Sequence, residues 1–165
     1  MTPSPDALLM TLSRIEAESL AGLVAQFVEL LESTDDTDDA VERLAPDAYP
    51  DDAEAASEFR SATRADLLDA RRVDAAAVLA SLSPAEPATE PASDAILPSD
   101  LVDIALSPDD GWAWMRTLTA IRLVLASRLG IDEQNPEGTG DDDSTAIYDW
   151  LGYRLEGLVQ ALSND

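Results

Sequence analysis

Two junctions in this chain are built alike. Leu8-Leu9-Met10-Thr11-Leu12-Ser13 and Val102-Asp103-Ile104-Ala105-Leu106-Ser107 are short alternating stretches that end in Leu-Ser, and an acid, Glu16 or Asp110, follows three residues after each serine. Alternation with period two is a strand pattern. Ser13 with Glu16 is a capping box, in which the hydroxyl accepts the N3 amide and the carboxylate reaches back. Each junction therefore predicts a short strand feeding an N-capped helix. Pro108, at the first helical position, reinforces the second. The two strands are candidates to pair with each other, although so short an echo does not indicate a duplication.

Helical periodicity accounts for most of the remaining chain. From Ser13 to about Glu32 the apolar positions Leu20, Leu23, Val24, Phe27, Val28, Leu30 and Leu31 fill a broad arc, which predicts a central, well-buried helix. The acidic run from Ser33 to Asp39 ends it, and a short helix over 39–44 precedes Pro46. Asp47-Ala48-Tyr49-Pro50-Asp51-Asp52 forms a turn into the next helix, with acids at its positive end. Thr63 with Asp66 reads as a fresh cap, which divides this region into helices over 51–61 and 64–82. Leu67, Leu68, Val78, Leu79 and Leu82 share one side of the second. Pro84, Pro87, Pro91 and Pro98 punctuate an exposed, flexible linker over 83–100.

A helix over 108–129 stops at Gly130, suited to a left-handed C-terminal position. A Gly- and Asp-rich loop follows. The last helix, 145–163, carries Ile147, Tyr148, Leu151, Leu155, Leu158, Val159 and Leu162 on one face. The expectation is a mainly α fold: one helical bundle domain over 1–165 with a minor two-stranded β element.

Composition narrows the chemistry. The chain has no cysteine, no histidine and no lysine; its ten basic residues are all arginine, against 34 Asp and Glu, for a net charge of −24. Thiol, imidazole and amine catalysis are thereby excluded. Strong acidity opposes autonomous nucleic-acid binding, whose affinity comes mainly from cations on phosphates, and opposes docking to an anionic membrane. No apolar run approaches the roughly 20 residues of a membrane span, and the N-terminus has no signal-peptide pattern, so the expected location is cytoplasmic. The acidic clusters at 35–39, 51–54 and 141–143 lack the ligand alternation of a calcium loop. No metal or cofactor is expected, and no catalytic residue stands out.

Four positions merit attention as arginine or tryptophan out of pattern. Arg122 projects within the apolar arc of Trp114, Met115, Leu118, Ile121, Leu125 and Leu129, and Arg71 falls between Leu67 and Leu82. An internal Arg–carboxylate brace is the expectation for both, because an unpaired buried charge costs several kcal/mol. An anion-binding or partner-anchoring role is the functional alternative. Trp150 lies about 60° outside the apolar arc of its helix, beside Arg154, a pairing enriched at binding hot spots. Either another segment of the chain covers it or a partner does. Trp112, two residues from Trp114 and so on another face, is open to covering the strands or to a subunit contact.

Three stretches carry a family resemblance: Asp47–Asp52 followed by Glu58-Phe59-Arg60, then LTAIRLVLASRLG over 118–130, then AIYDWLGYRLEGLVQAL over 146–162. Their order and spacing resemble an actinobacterial family of unknown function whose genes commonly neighbour that of the ClpS adaptor of N-end-rule proteolysis. Some of its members are described as oxidative-stress transcription regulators (AosR-like) that sense oxidation through a cysteine pair and act with a sigma factor. The resemblance implies a protein-binding, transcription-linked role. Cysteine-based sensing does not carry over, because the sulfur is absent. The expected function is a non-enzymatic regulatory or adaptor protein. It is expected to be homodimeric and to act on transcription machinery (sigma factor or RNA polymerase) or ClpS-linked machinery, with Trp150, Arg154 and Trp112 as contact residues. The rivals are a direct DNA-binding regulator and a carboxylate-dependent enzyme.

Overall fold

The computed structural model describes residues 6–33, 38–44, 53–83 and 101–163, with the side chains of residues 53, 55–57 and 59–62 outside that description. The turn at 47–52, the linker over 84–100 and most of the acidic clusters at 35–39 and 51–54 lie outside it too. In chain order the elements are β1 (Leu8–Ser13), α1 (Arg14–Glu32), α2 (Asp39–Leu44), α3 (Ala53–Leu82), β2 (Leu101–Leu106), α4 (Pro108–Leu129) and α5 (Asp142–Ser163). The fold is mainly α with a small antiparallel sheet.

Both capping boxes form. The Ser13 Oγ accepts the Glu16 N–H at 3.2 Å and the Glu16 carboxylate accepts the Ser13 N–H at 2.8 Å. Ser107 and Asp110 repeat the arrangement with Pro108 behind them. The strands they terminate pair antiparallel within the chain, Leu8 opposite Leu106 through Ser13 opposite Leu101. Antiparallel pairing makes α1 and α4 leave the ribbon from opposite ends and turns Met10, Leu12, Ile104 and Leu106 inward to the core.

Two expectations about the helices change. Residues 53–82 form one helix, not two. The segment around Thr63 is rich in Ala and Arg, strong helix formers whose propensity outweighs a local capping option. The central helix is α4, not α1. It packs against α2, α3 and α5 and buries Gly111, Ala113, Trp114, Thr117, Leu118, Ala120, Ile121, Ala126 and Leu129. Glycine and alanine let neighbours approach from several sides: a Cβ at Gly111 would stand 3.0 Å from Leu162 of α5. On α1 only Ala17, Leu20, Val24, Phe27 and Leu31 are buried, so the flank carrying Leu23 and Leu30 stays partly open.

Smaller differences have local causes. α5 begins at Asp142 rather than 145 because Asp141 caps it, accepting both the Ser144 N–H and hydroxyl at 2.9 Å. Of its anticipated apolar face, Leu151 and Leu158 are buried, whereas Ile147 and Val159 remain exposed. Leu67 on α3 is exposed as well. Gly130 adopts the left-handed conformation (φ 66°) that ends α4, a backbone position that disfavours a side chain. Among the described residues no helix is long and apolar enough to cross a membrane.

Candidate functional site

The residues singled out on α5 meet the first turn of α1. Glu16 Oε1 accepts the Trp150 indole N–H at 2.9 Å and an Arg154 Nη2–H at 2.7 Å, while its other oxygen holds the Ser13 amide. Trp150 and Arg154 are four apart, hence neighbours on one helix face. The Ser13 amide, Arg154 and Trp150, in that order of effect, hold the Glu16 carboxyl down to about 2. Charge-assisted bonds from several donors favour the ionised form. One carboxylate thus caps α1 and clamps α5 to it. Arg154 also reaches the Thr11 carbonyl at 3.5 Å and stacks near the Trp150 and Tyr153 rings.

The alternative of cover from within the chain therefore holds for one edge of Trp150. The rest of the ring lines a cleft of about 490 Å³ between α1 and α5, together with Ile15, Ser19, Leu20, Gly22, Leu23, Gln26, Ala146 and Ile147. Ile15 is 76% exposed and Ile147 41%. On the other side of Arg154, a cleft of about 480 Å³ separates β1 from α5, between Leu9 and Met10 on the strand and Tyr153, Gly157 and Ala161 on the helix. Trp112 lies away from both linings and is 44% exposed.

Among the described residues no carboxylate braces either interior arginine, contrary to the expectation. Arg122 is half-buried, donates from Nε to the Tyr148 carbonyl at 3.3 Å and lies 4.0 Å over the Tyr148 ring centroid. Gly152 makes room for it, since a Cβ there would stand 3.2 Å from the guanidinium. An aromatic face and a carbonyl replace the carboxylate. Arg122→Ala should then cost about 1–2 kcal/mol in a urea melt, the range of a partly desolvated cation–π contact. A loss of about 3–5 kcal/mol would mark a broken buried ion pair instead. Arg71 donates to the Leu44 carbonyl at 3.3 Å, and burial pushes its pKa down. The nearby Asp74 is engaged by Arg116 through two 2.8 Å bonds.

The ion pairs that do cross between elements escaped the sequence reading. Arg116–Asp74 joins α4 to α3, Arg128–Asp38 joins α4 to the start of α2 at 2.7 Å, and Arg154–Glu16 joins α5 to α1. Only the last left a trace, in the coincidence of a capping acid and an off-arc Trp/Arg pair. Among the described residues no group of three or more acids is gathered to hold a metal ion. The site is an ion-paired clamp between two grooves.

A family model for a domain of unknown function, DUF2017, matches residues 1–162. The chain belongs to the DUF2017 family. No curated protein and no solved structure matches it. The match spans both capping boxes, the clamp and both clefts, so the DUF2017 domain includes every feature described above.

Proposed function

We propose that this DUF2017 protein is a non-enzymatic regulatory or adaptor protein that works by binding other proteins, as a homodimer, in the cytoplasm. Its partners are transcription machinery, a sigma factor or RNA polymerase, or else ClpS-linked proteolytic machinery. Membership of the actinobacterial branch encoded beside the ClpS adaptor gene, with its AosR-like regulators, belongs to the same proposal. Redox sensing by cysteine is no part of it, because the chain has none.

The observation that carries the reading is the α1–α5 cleft, whose apolar side chains Ile15 and Ile147 stand in solvent beside a half-covered tryptophan. Exposed apolar surface of this kind marks protein-interaction sites and ligand-binding grooves, and Trp and Arg are enriched at binding hot spots. Net acidity further supports protein partners over nucleic acid.

Affinity capture of the tagged chain from its native lysate, with mass spectrometry and an untagged control, tests the proposal. Reproducible recovery of RNA polymerase, a sigma factor or ClpS is the expected result. Recovery of nothing beyond the bait would count against it, as would sequence-selective DNA binding at physiological salt. Trp150→Ala is expected to weaken partner capture while helicity by circular dichroism is kept.

A further inference from the structure

A third cleft, of about 320 Å³, continues the α1–α5 cleft: it shares Leu23 and Gln26 with it and runs on past Phe27 to Leu30, walled by Ile121, Val124 and Leu125 of α4. Together they form one groove along α1 from Ile15 to Leu30. At 1.5 Å per residue it is about 22 Å long, roughly four helical turns.

The groove's interior is electrically balanced and its rim is not. Glu16 is matched by Arg154 and Arg128 by Asp38. One turn away from lining residues stand Glu18 and Glu29 on α1, and Asp142, Asp143 and Asp149 on α5. All five are exposed, and none is ion-paired among the described residues. Apart from Arg14 beside Ile15, the unpaired charges flanking this apolar strip are thus acidic.

Resting on the protein-binding reading above, we propose that the groove takes an amphipathic helix from a partner protein. The helix lays an apolar ridge along α1 and sets flanking arginines or lysines against the acidic rim. A helix suits the floor because its backbone is satisfied internally, whereas an extended segment would leave N–H and C=O groups over apolar side chains. Ser19, Gly22 and Ala146 allow close approach, and a Cβ at Gly22 would meet nothing within 4 Å. The rim selects the partner's sign. A second copy of a chain with net charge −24 would bring like charge to like, whereas a basic helix is steered in by the field.

The test titrates the full chain against fluorescein-labelled synthetic helices, read by anisotropy. One carries leucines at helical spacing flanked by lysines; a second keeps the leucines with glutamates; a third keeps the lysines with serines on the ridge. The first should bind at least tenfold more tightly than either control, and should weaken as salt shortens the screening length to about 8 Å. Ile147→Asp and Ile15→Asp, both at exposed positions and checked by thermal melts, should each weaken it at least tenfold. Glu18→Gln with Asp143→Asn should flatten the salt dependence.

Equal binding of the leucine and serine ridges would overturn the groove, leaving charge alone. Equal binding of the lysine and glutamate helices would overturn the rim argument. Self-association abolished by Ile147→Asp would give the groove to a second copy, and would overturn the proposal too. Lysate capture run in parallel separates this proposal from the broader one. A transcription or ClpS-linked partner retained by Ile147→Asp keeps the adaptor reading and removes the groove from it. Peptide discrimination without any captured partner does the reverse.

Discussion

Glu16→Gln should lower stability by about 1–2 kcal/mol at neutral pH and by nothing near pH 2. The side chain ends one strand, starts one helix and holds a second helix through Trp150 and Arg154. Glutamine can still close the capping box, so the loss isolates the charge-assisted bonds to α5. The pH dependence has a fixed sign. The carboxyl is held at about 2 in the folded chain against an ordinary value of 4.5. The unfolded chain therefore takes up the proton first as pH falls. The stabilisation is fully present above about 4.5 and drains away between there and about 2. The full shift would correspond to about 3 kcal/mol, which partial exposure and screening reduce to the stated range. Urea melts of both proteins should draw together as pH falls from about 4.5 towards about 2. A pH-independent gap between the two curves would mean that shape, not charge, holds α5 to α1.

Trp114 carries the largest single expected loss. It is wholly buried on α4, among Leu118, Ile121 and Leu151 of the same core. Trp114→Ala should cost about 3–5 kcal/mol through lost burial and the cavity left behind, a large part of the total stability of an ordinary domain. Trp114→Phe should cost far less, about 1–2 kcal/mol. The indole Nε1 has no hydrogen-bond partner among the described residues, so removing it gives up no bond and relieves a desolvated donor. One turn on, the Thr117 hydroxyl is likewise buried without a partner, and Thr117→Val should be neutral or stabilising on the same argument. Thermal melts of the three variants decide the matter. A phenylalanine variant as unstable as the alanine one would show that the indole N–H contributes a bond after all.

Clustering of the arginines into inter-helix ties has a consequence for salt. Arg116–Asp74 and Arg128–Asp38 are each more than half exposed on the arginine side, so each contributes only about 0–1 kcal/mol. They orient α3 and α2 on α4 while the apolar interior carries the energy. Asp38 is nevertheless held below its ordinary pKa, chiefly by Arg128, which adds to acid sensitivity in the same direction as Glu16.

What the sequence determined by itself was local. Both capping boxes, the Gly130 stop and the strand stretches depend on contacts within a few residues, and such contacts are written in residue order. Family membership rests on the same kind of pattern over nearly the whole chain. Tertiary packing decided the rest. Continuous helicity through Thr63 is the exception, a local matter in which helix propensity outweighed a capping option. The choice of α4 over α1 as the central helix depended on which small residues let neighbours approach. Arg122 found an aromatic face and a carbonyl, and Arg71 a helix-end carbonyl, because a guanidinium accepts several partners and only the fold selects one. The groove along α1 was invisible in sequence for a related reason. A broad apolar arc says how much surface wants cover, while the placement of α4 and α5 determines how much of that cover the chain itself supplies.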